Sequence, residues 1–190
     1  MPSGRRWQIV SSTMSSKIRV AGIVNDSITD GPGLRLTLFM QGCERNCPGC
    51  HNESALPLDG GNLYDAQEIM DIIRKNPMLS GVTFSGGEPM LQAEALLPLA
   101  CMINEAGLDL AIYTGFTFEE LLNQGNVSVM ELLTYAQILI DGPFILEKRS
   151  LNLSFRGSSN QRILNMKESL RQGKAVEELS PVWTGESDIR

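Results

Sequence analysis

The sequence predicts an α/β fold, a partial, open (β/α) barrel of about five or six mostly parallel strands. Short segments of apolar, strand-forming residues alternate with segments of helical periodicity along most of the 190 residues. Such alternation is typical of parallel β-α-β units. The strand segments are too few for a closed eight-stranded barrel. The length suits one domain, and 42% hydrophobic with 20% charged residues is ordinary for a globular protein.

Two strands and one helix are predicted in the first half of the domain. The apolar segments 34–40 and 81–84 form the strands. Residues 65–75 form the helix, because isoleucines at positions 69, 72 and 73 share one face. Asp65 and Glu68 have the spacing of a capping box at its start, and Pro77 follows its end.

The second half continues the alternation. A helix over residues 90–106 should end at Gly107, and Pro98 predicts a kink or a break inside it. The remaining predicted elements are a strand at 110–113, a helix that starts with a capping box at 117–120, a short helix at 128–135, and strands at 137–140 and 162–165.

The domain is predicted to occupy residues 17–172. Residues 1–16 are rich in serine and lack periodicity, so we expect a flexible N-terminal extension. Residues 173–190 are acidic and aperiodic, so we expect a C-terminal tail in which Trp183 could dock.

Charge and hydrophobicity exclude several classes of partner. The net charge of −6 leaves no basic surface for nucleic acid or anionic lipid. No apolar segment approaches the ~20 residues that span a bilayer, and none near the N-terminus is long enough for a signal peptide. Four cysteines without an export signal indicate a reducing compartment, so we expect a cytoplasmic protein.

Three of the cysteines lie close together, at Cys43, Cys47 and Cys50, in the segment QGCERNCPGCHN. The segment directly follows the first predicted strand, and its glycine, asparagine and proline residues favour a loop over a helix. Three thiolates can bind three of the four irons of an iron–sulfur cluster. The fourth iron would then stay open for a ligand, and open metal positions are typical of catalytic sites.

A zinc site is the main alternative for these thiols. Zinc would need a fourth ligand, and the only histidine, His51, is adjacent to Cys50, which is awkward for tetrahedral chelation. Cys101 is the other candidate and is distant in sequence. A structural zinc module or an iron–sulfur protein that only transfers electrons therefore stays open beside the catalytic interpretation.

A second motif, Ser85-Gly86-Gly87-Glu88-Pro89, follows the second predicted strand and begins a helix. The glycines let backbone groups reach a ligand, the glutamate suits an ammonium group, and proline suits a first helical position. The motif lies at the C-terminal edge of the sheet, where α/β proteins bind their ligands. Alone it is weak, but the cysteine loop is expected at the same edge.

Together the cysteine loop and the SGGEP motif resemble the two diagnostic features of the radical S-adenosyl-L-methionine (SAM) superfamily. The resemblance covers residues 18–165 and implies a [4Fe–4S] cluster on Cys43, Cys47 and Cys50. It implies that the open iron binds the amino and carboxylate groups of SAM, that SGGEP contacts the amino group, and that Gly49 and His51 lie against the adenine. Reductive cleavage would give methionine and a 5′-deoxyadenosyl radical that abstracts a hydrogen atom.

Further segments are similar to the family that activates glycyl radical enzymes. They are DGPGLR at 30–35, DGPF at 141–144 and RGSSNQ at 156–161. The last two resemble the branch that acts on anaerobic (class III) ribonucleoside-triphosphate reductase, which implies that reductase as protein substrate and a flavodoxin- or ferredoxin-like electron donor. An activase of pyruvate formate-lyase, or a radical enzyme that builds a deazaguanine ring, is the alternative.

Two further positions bear on the cofactor site, Asp141 and Arg45. Asp141 matches an acidic position that approaches the cofactor in related activases, although a solvated aspartate at a strand end would have the same local sequence. Arg45 stands where many activases have histidine, which leaves the cluster ligands unchanged but alters their surroundings.

Overall fold

The computed structural model describes residues 17–185. The strands in this part of the chain are β1 (Ile18–Ser27), β2 (Arg35–Met40), β3 (Asn62–Tyr64), β4 (Gly81–Gly86), β5 (Asp109–Tyr113), β6 (Ile138–Asp141) and β7 (Arg162–Asn165). The α-helices are α1 (Ala66–Arg74), α2 (Ala93–Glu105), α3 (Phe118–Gln124), α4 (Val127–Tyr135), α5 (Met166–Gln172) and α6 (Pro181–Thr184). The expected extension at 1–16 lies outside the described residues, as do residues 186–190.

All seven strands form one open sheet in the order β3-β1-β2-β4-β5-β6-β7. The central strands β2, β4, β5 and β6 are parallel, whereas β1 and β7 run antiparallel to their neighbours. Since β3 is antiparallel to β1, five of the seven strands point the same way. The predicted α/β class and its mostly parallel sheet are confirmed, with one or two more strands than the sequence indicated.

The additional strands are β1 and β3, which lack a clear strand signal. β1 contains Gly22, its second half is largely exposed, and its pairing with β2 shifts register between Val20 and Gly22 and again between Val24 and Ser27. Such bulges interrupt the alternation of apolar and polar residues by which a strand is predicted. β3 has only three residues.

The predicted helices are present, and their caps match the sequence signals. Asp65 and Glu68 form the capping box of α1, and Thr117 and Glu120 form that of α3. The helix α2 continues through Pro98 and is not broken there. Its residues on both sides of the proline are completely buried in the core, which holds the two halves together.

The sheet has two different faces, because side chains alternate along each strand. Helices α1 to α5 cover one face and form the main apolar core with Leu38, Phe84, Ile112 and other strand residues. The opposite face carries a smaller apolar cluster of Ala111, Ile138, Ile140, Ile163 and Trp183. Polar side chains lie beside this cluster: Arg35, Thr37 and Thr83 are fully buried.

Arg35 joins the beginnings of three parallel strands. Its side chain is completely buried, its Nε donates to Thr83 Oγ1 at 2.7 Å, and its Nη2 donates to the Val82 carbonyl at 2.7 Å. The same Nη2 pairs with the Asp109 carboxylate at the start of β5. A buried arginine is tolerated only when its donors are satisfied in this way.

The DGPG turn lies directly on Arg35. A side chain at Gly31 would meet Arg35 Cδ at 2.7 Å, so only glycine fits there. The Asp30 carboxylate accepts from Thr37 Oγ1 at 3.1 Å, and Thr83 Oγ1 donates to the Asp30 carbonyl at 2.8 Å. The motif therefore closes the inner face of the sheet over the arginine.

Part of the expected C-terminal tail packs against the sheet. The Asn165 amide donates to the Val176 carbonyl at 2.9 Å, and the Glu178 amide donates to the Ile163 carbonyl at 2.8 Å. The following helix α6 places Trp183 beside Arg35, whose guanidinium carbon lies 5.7 Å from the ring centroid. The ring also meets Phe155 edge-on, with centroids 5.5 Å apart. Among residues 17–185, no helix is both long and apolar enough to cross a membrane.

We expect Trp183→Ala to lower the free energy of unfolding by about 3 kcal/mol, because it empties a buried ring site and uncovers Arg35. Denaturation by urea followed by circular dichroism measures the change. Val182→Ala is the matched control: its side chain is 65% exposed on the same helix, so its effect should stay below about 0.5 kcal/mol. Equal losses in both variants would contradict the assigned docking.

Candidate active site

The cysteine loop begins where β2 ends. The Gly42 amide donates to the Ala55 carbonyl at 2.7 Å, and the Cys43 amide donates to the Leu56 carbonyl at 3.0 Å. The Cys50 amide donates to the Cys47 carbonyl at 3.1 Å. The loop is therefore held by its own backbone, and its three cysteines are free thiols that are partly exposed.

Backbone amides surround the first thiol. Burial raises the pKa of Cys43, and the N–H groups of Arg45 and Asn46, which donate to its sulfur, oppose that rise. Hydrogen bonds from backbone N–H groups stabilise a thiolate, which is the form that binds a metal.

The SGGEP turn lies against this loop, backbone on backbone. The Gly87 amide donates to the Met40 carbonyl, and the Glu88 amide donates to the Gly42 carbonyl, both at 2.8 Å. A Cβ on Gly86 would overlap the Met40 amide, and one on Gly87 would overlap the Gly42 carbonyl. The two glycines thus let the turn and the loop touch, and the amides of Gly87 and Glu88 are already used within the protein.

Glu88 links the turn to the segment after β5. Its carboxylate, only 2% exposed, accepts from the Met90 amide at 3.1 Å, Thr114 Oγ1 at 2.8 Å and the Gly115 amide at 2.9 Å. Burial raises the pKa of Glu88, and these three hydrogen bonds limit that rise. A carboxylate has about four acceptor positions, so one is left for a ligand.

A cavity of about 430 Å³ opens between these segments, at the C-terminal edge of the parallel strands. Eight of the predicted site residues line it: Cys43, Cys47, Cys50, His51, Ser85, Gly86, Gly87 and Glu88. The lining also includes sixteen residues that the sequence did not assign to the site: Thr29, Asp30, Phe39, Arg45, Asn52, Leu56, Tyr113, Thr114, Gly115, Gly142, Phe144, Leu153, Phe155, Arg156, Gly157 and Gln161.

Gly49 is exposed and does not line the cavity. Its backbone is in the left-handed region, and a Cβ there would meet Leu146 Cδ1 at 3.0 Å. The neighbouring His51 ring faces Phe144, with centroids 5.1 Å apart and planes tilted by 49°. The DGPF motif therefore reaches the cysteine loop through its phenylalanine.

Asp141 has structural partners and does not line the cavity. It is fully buried, so it is not the solvated strand-end aspartate considered above. Arg162 Nε donates to its Oδ1 at 3.0 Å, and the Phe118 amide donates to its Oδ2 at 2.8 Å. Arg162 also pairs with the exposed Glu119 at 2.7 Å. Asp141 thus caps α3 and fixes β7 beside β6.

Arg45 connects the cysteine loop to α3. Its guanidinium lies 4.3 Å from the Phe116 ring centroid and pairs with Glu120 at 3.1 Å. The only sequence signal for this contact was the departure from the histidine that many activases have at this position.

The RGSSNQ segment folds over the cavity and is closed by its own last residue. Gln161 Oε1 accepts from the amides of Gly157 and Ser158 at 2.8 and 3.2 Å, and its Nε2 donates to the Gly142 carbonyl at 3.1 Å. Asn160 Nδ2 donates to the Pro143 carbonyl at 2.7 Å. The segment is thereby fixed to the DGPF motif.

The donor set suits a cluster better than a single ion. Within residues 17–185 no group of three or more His, Cys, Asp or Glu side chains is placed to hold one metal ion. Zinc needs four ligands converging on one point. Three free thiols on one loop, facing a common cavity with a buried glutamate on its wall, fit a cluster that is bound through three of its irons.

The sequence is similar to those of several known proteins. Residues 29–164 match a family described as a 4Fe-4S single cluster domain. Two proteins named anaerobic ribonucleoside-triphosphate reductase-activating protein are similar over nearly their whole length. The one from Haemophilus influenzae is 35% identical over 148 residues, which is 74% of this chain and 93% of that protein. The one from Vibrio cholerae is 38% identical over 145 residues, or 72% and 90%.

The chain belongs to this family of radical SAM activating proteins. Its cofactors are a [4Fe–4S] cluster and SAM, which excludes the zinc alternative and a purely electron-transferring module. A pyruvate formate-lyase-activating enzyme from Clostridium pasteurianum is also similar. It is 34% identical over 123 residues, which is 60% of this chain and 52% of that enzyme.

In this activating protein we expect Gly87→Ala to separate the SGGEP turn from the cysteine loop, since its Cβ would overlap a backbone carbonyl. The free energy of unfolding should fall by about 1–3 kcal/mol, and less iron should be bound per chain after anaerobic reconstitution. Thermal unfolding and iron analysis measure the two effects. Gly22→Ala is the control, because nothing lies within 4 Å of its added methyl group; full iron content in both variants would contradict the assigned contact.

For Asp141→Asn we expect a loss of about 2 kcal/mol of stability with unchanged affinity for SAM, because its oxygens contact Arg162 and α3 and not the cavity. Glu119→Gln removes the exposed partner of the same arginine and should cost less than about 1 kcal/mol. Urea denaturation and equilibrium dialysis with SAM measure the two quantities. A weakened affinity for SAM in a stable Asp141 variant would support the contact with the cofactor that the sequence predicts for Asp141.

Proposed function

We propose that this protein uses SAM to generate a glycyl radical on anaerobic ribonucleoside-triphosphate reductase. The observation that carries the proposal is the convergence of three free cysteines, SGGEP and RGSSNQ on one cavity. The names of the two relatives that match over at least 90% of their length support this partner.

In this proposal Cys43, Cys47 and Cys50 hold three irons of the cluster. With SAM bound, the cluster supplies the one-electron chemistry that ends in removal of a hydrogen atom from a glycine Cα of the partner. The cysteine residues are partly exposed, so an electron could enter through the loop without a further protein cofactor. We propose a flavodoxin- or ferredoxin-like donor and a cytoplasmic location, since thiols and cluster both need a reducing compartment.

The opposite wall would hold SAM. Ser85, Gly86 and Gly87 offer side-chain and carbonyl oxygens, and Glu88 has one acceptor position left for the ammonium group. On the side of the cysteine loop, His51 and Phe144 provide an aromatic surface for the adenine, two residues from Gly49.

The partner must bring its glycine to the cavity mouth. The segment after DGPF exposes two leucines close to the site: Leu146, which contacts the cysteine loop at Gly49, is 44% exposed, and Leu151 is 88% exposed. Exposed apolar side chains beside a site are typical of surfaces that bind another protein. This side of the molecule is therefore where we expect the partner to dock.

Pyruvate formate-lyase is the second candidate partner, because its activating enzyme from Clostridium pasteurianum is 34% identical over 123 residues. That similarity covers only about half of the enzyme, 52% of its length. The reductase is therefore the better supported substrate.

The test is anaerobic incubation of the reconstituted protein with a reductant, SAM and either enzyme, followed by electron paramagnetic resonance. We expect a glycyl radical signal on the reductase and none on pyruvate formate-lyase. A signal on the lyase alone would transfer the assignment to the second candidate. A signal on neither, with SAM still cleaved, would point to a different substrate.

Cysteine variants separate the cluster from the rest of the site. Replacing Cys43, Cys47 or Cys50 by alanine should abolish methionine release from SAM, because each removes an iron ligand. Cys101→Ala is the control, since this thiol lies on α2 near Glu105 and away from the cavity, and it should keep normal turnover. Chromatography measures the methionine released. An equal loss of methionine release in all four variants would contradict a cluster held by three cysteines with one open iron.

A further inference from the structure

Arg156 stands out among the charged residues that line the cavity. Two arginines line it, and Arg45 is paired with Glu120 and stacked on Phe116. Arg156 forms no ion pair in the described part of the chain. A cation on a cavity wall without an ion-pair partner is free to bind an anionic ligand.

The hydrogen bonds of Arg156 are also incomplete. Its Nη1 makes one long bond to the Gln161 carbonyl, at 3.4 Å. Its Nε is buried and has no acceptor within the described residues. The Nε of Arg45 also lacks one, but that guanidinium is already paired with Glu120, whereas Arg156 has no ion-pair partner. A buried donor left unpaired is unfavourable, so its retention in Arg156 indicates a partner that arrives with the ligand.

The backbone around Arg156 is fixed before any ligand binds. The Phe155 carbonyl accepts from the Tyr113 hydroxyl at 2.8 Å, and the Gly157 amide donates to Gln161 at 2.8 Å. Phe155 has a positive φ of 52°, which is rare for a residue with a side chain and turns the chain so that position 156 faces the cavity. The missing acceptor is therefore not explained by a loosely held loop.

We propose that Arg156 binds the carboxylate of SAM. The carboxylate is the only anionic group of this cofactor, whose ammonium and sulfonium are cations and whose adenosine is neutral. The guanidinium edge formed by Nε and Nη2 matches the two oxygens of a carboxylate. Glu88 lines the same cavity with the opposite charge, so the two side chains complement the two ends of the amino acid group.

The proposal rests on SAM as cofactor and not on which enzyme is activated. Its test is the dissociation constant of the cluster-loaded protein for SAM and for the decarboxylated analogue of SAM, measured anaerobically by equilibrium dialysis. Arg156→Gln should weaken binding of SAM by at least about tenfold and leave binding of the analogue unchanged. Arg156→Lys keeps the positive charge but loses the planar guanidinium. Its affinity for SAM should therefore lie between those of the unsubstituted protein and Arg156→Gln.

The comparison of the two ligands isolates the carboxylate. Both ligands share the adenine and amino-group contacts, and any contact of the carboxylate with the cluster is the same in the variant and in the unsubstituted protein. Arg149→Gln is the control, since Arg149 is an exposed cation that bridges to Ser158 through its backbone and lies outside the cavity. This variant should bind SAM like the unsubstituted protein. Matching unfolding temperatures of the variants would show that RGSSNQ keeps its fold.

Three results would overturn the proposal. They are unchanged affinity of Arg156→Gln for SAM, an equal loss for SAM and for the analogue, and a loss confined to binding of the partner protein. The last result would assign the arginine to a carboxylate of the partner. Failure of the unsubstituted protein to bind SAM would instead contradict the proposed function as a whole.

Discussion

The direct backbone contact between the cysteine loop and the SGGEP turn is the constraint on which the site depends. Parallel pairing of β2 with β4 brings Met40 level with Gly86, so both strands end at the same height. The two segments that follow then share hydrogen bonds at 2.8 Å and leave no room for a Cβ between them. Because the sheet sets this distance, the thiols and the turn are positioned by rigid elements and not by their own loops.

Acidic side chains join the segments around the cavity to one another. Glu88 ties the turn to the segment after β5, Glu120 holds Arg45 of the cysteine loop, and Asp141 holds Arg162 of β7. Each carboxylate bridges two segments that are distant in sequence. These three carboxylates are therefore paired with other parts of the protein. The groups left to bind a cationic ligand are the thiols and the free acceptor position of Glu88.

Local signals predicted much of this molecule. The helices could be predicted from their caps and periodicity. The cysteine loop and SGGEP could be predicted because their combination of residue types is uncommon in other structures. The strands β1 and β3 were not predicted, because β1 is bulged and half exposed and β3 has three residues. The partners of Asp141 were equally hidden, since they lie on segments that only the folded sheet brings together. The sequence predicted that Asp141 approaches the cofactor. In the structure its carboxylate oxygens accept hydrogen bonds from Arg162 and from the first amide of α3.

The stacking of Trp183 on Arg35 has a consequence for how the protein is made. The arginine joins the starts of three strands near the beginning of the chain, yet the ring that covers it belongs to the last described helix. While the ribosome is still at work, the first strands emerge with this cation uncovered, and contacts so far apart in sequence form slowly. The inner face of the sheet is sealed only after α6 has been synthesised, so a product truncated before Trp183 would keep its cysteine loop but leave Arg35 uncovered.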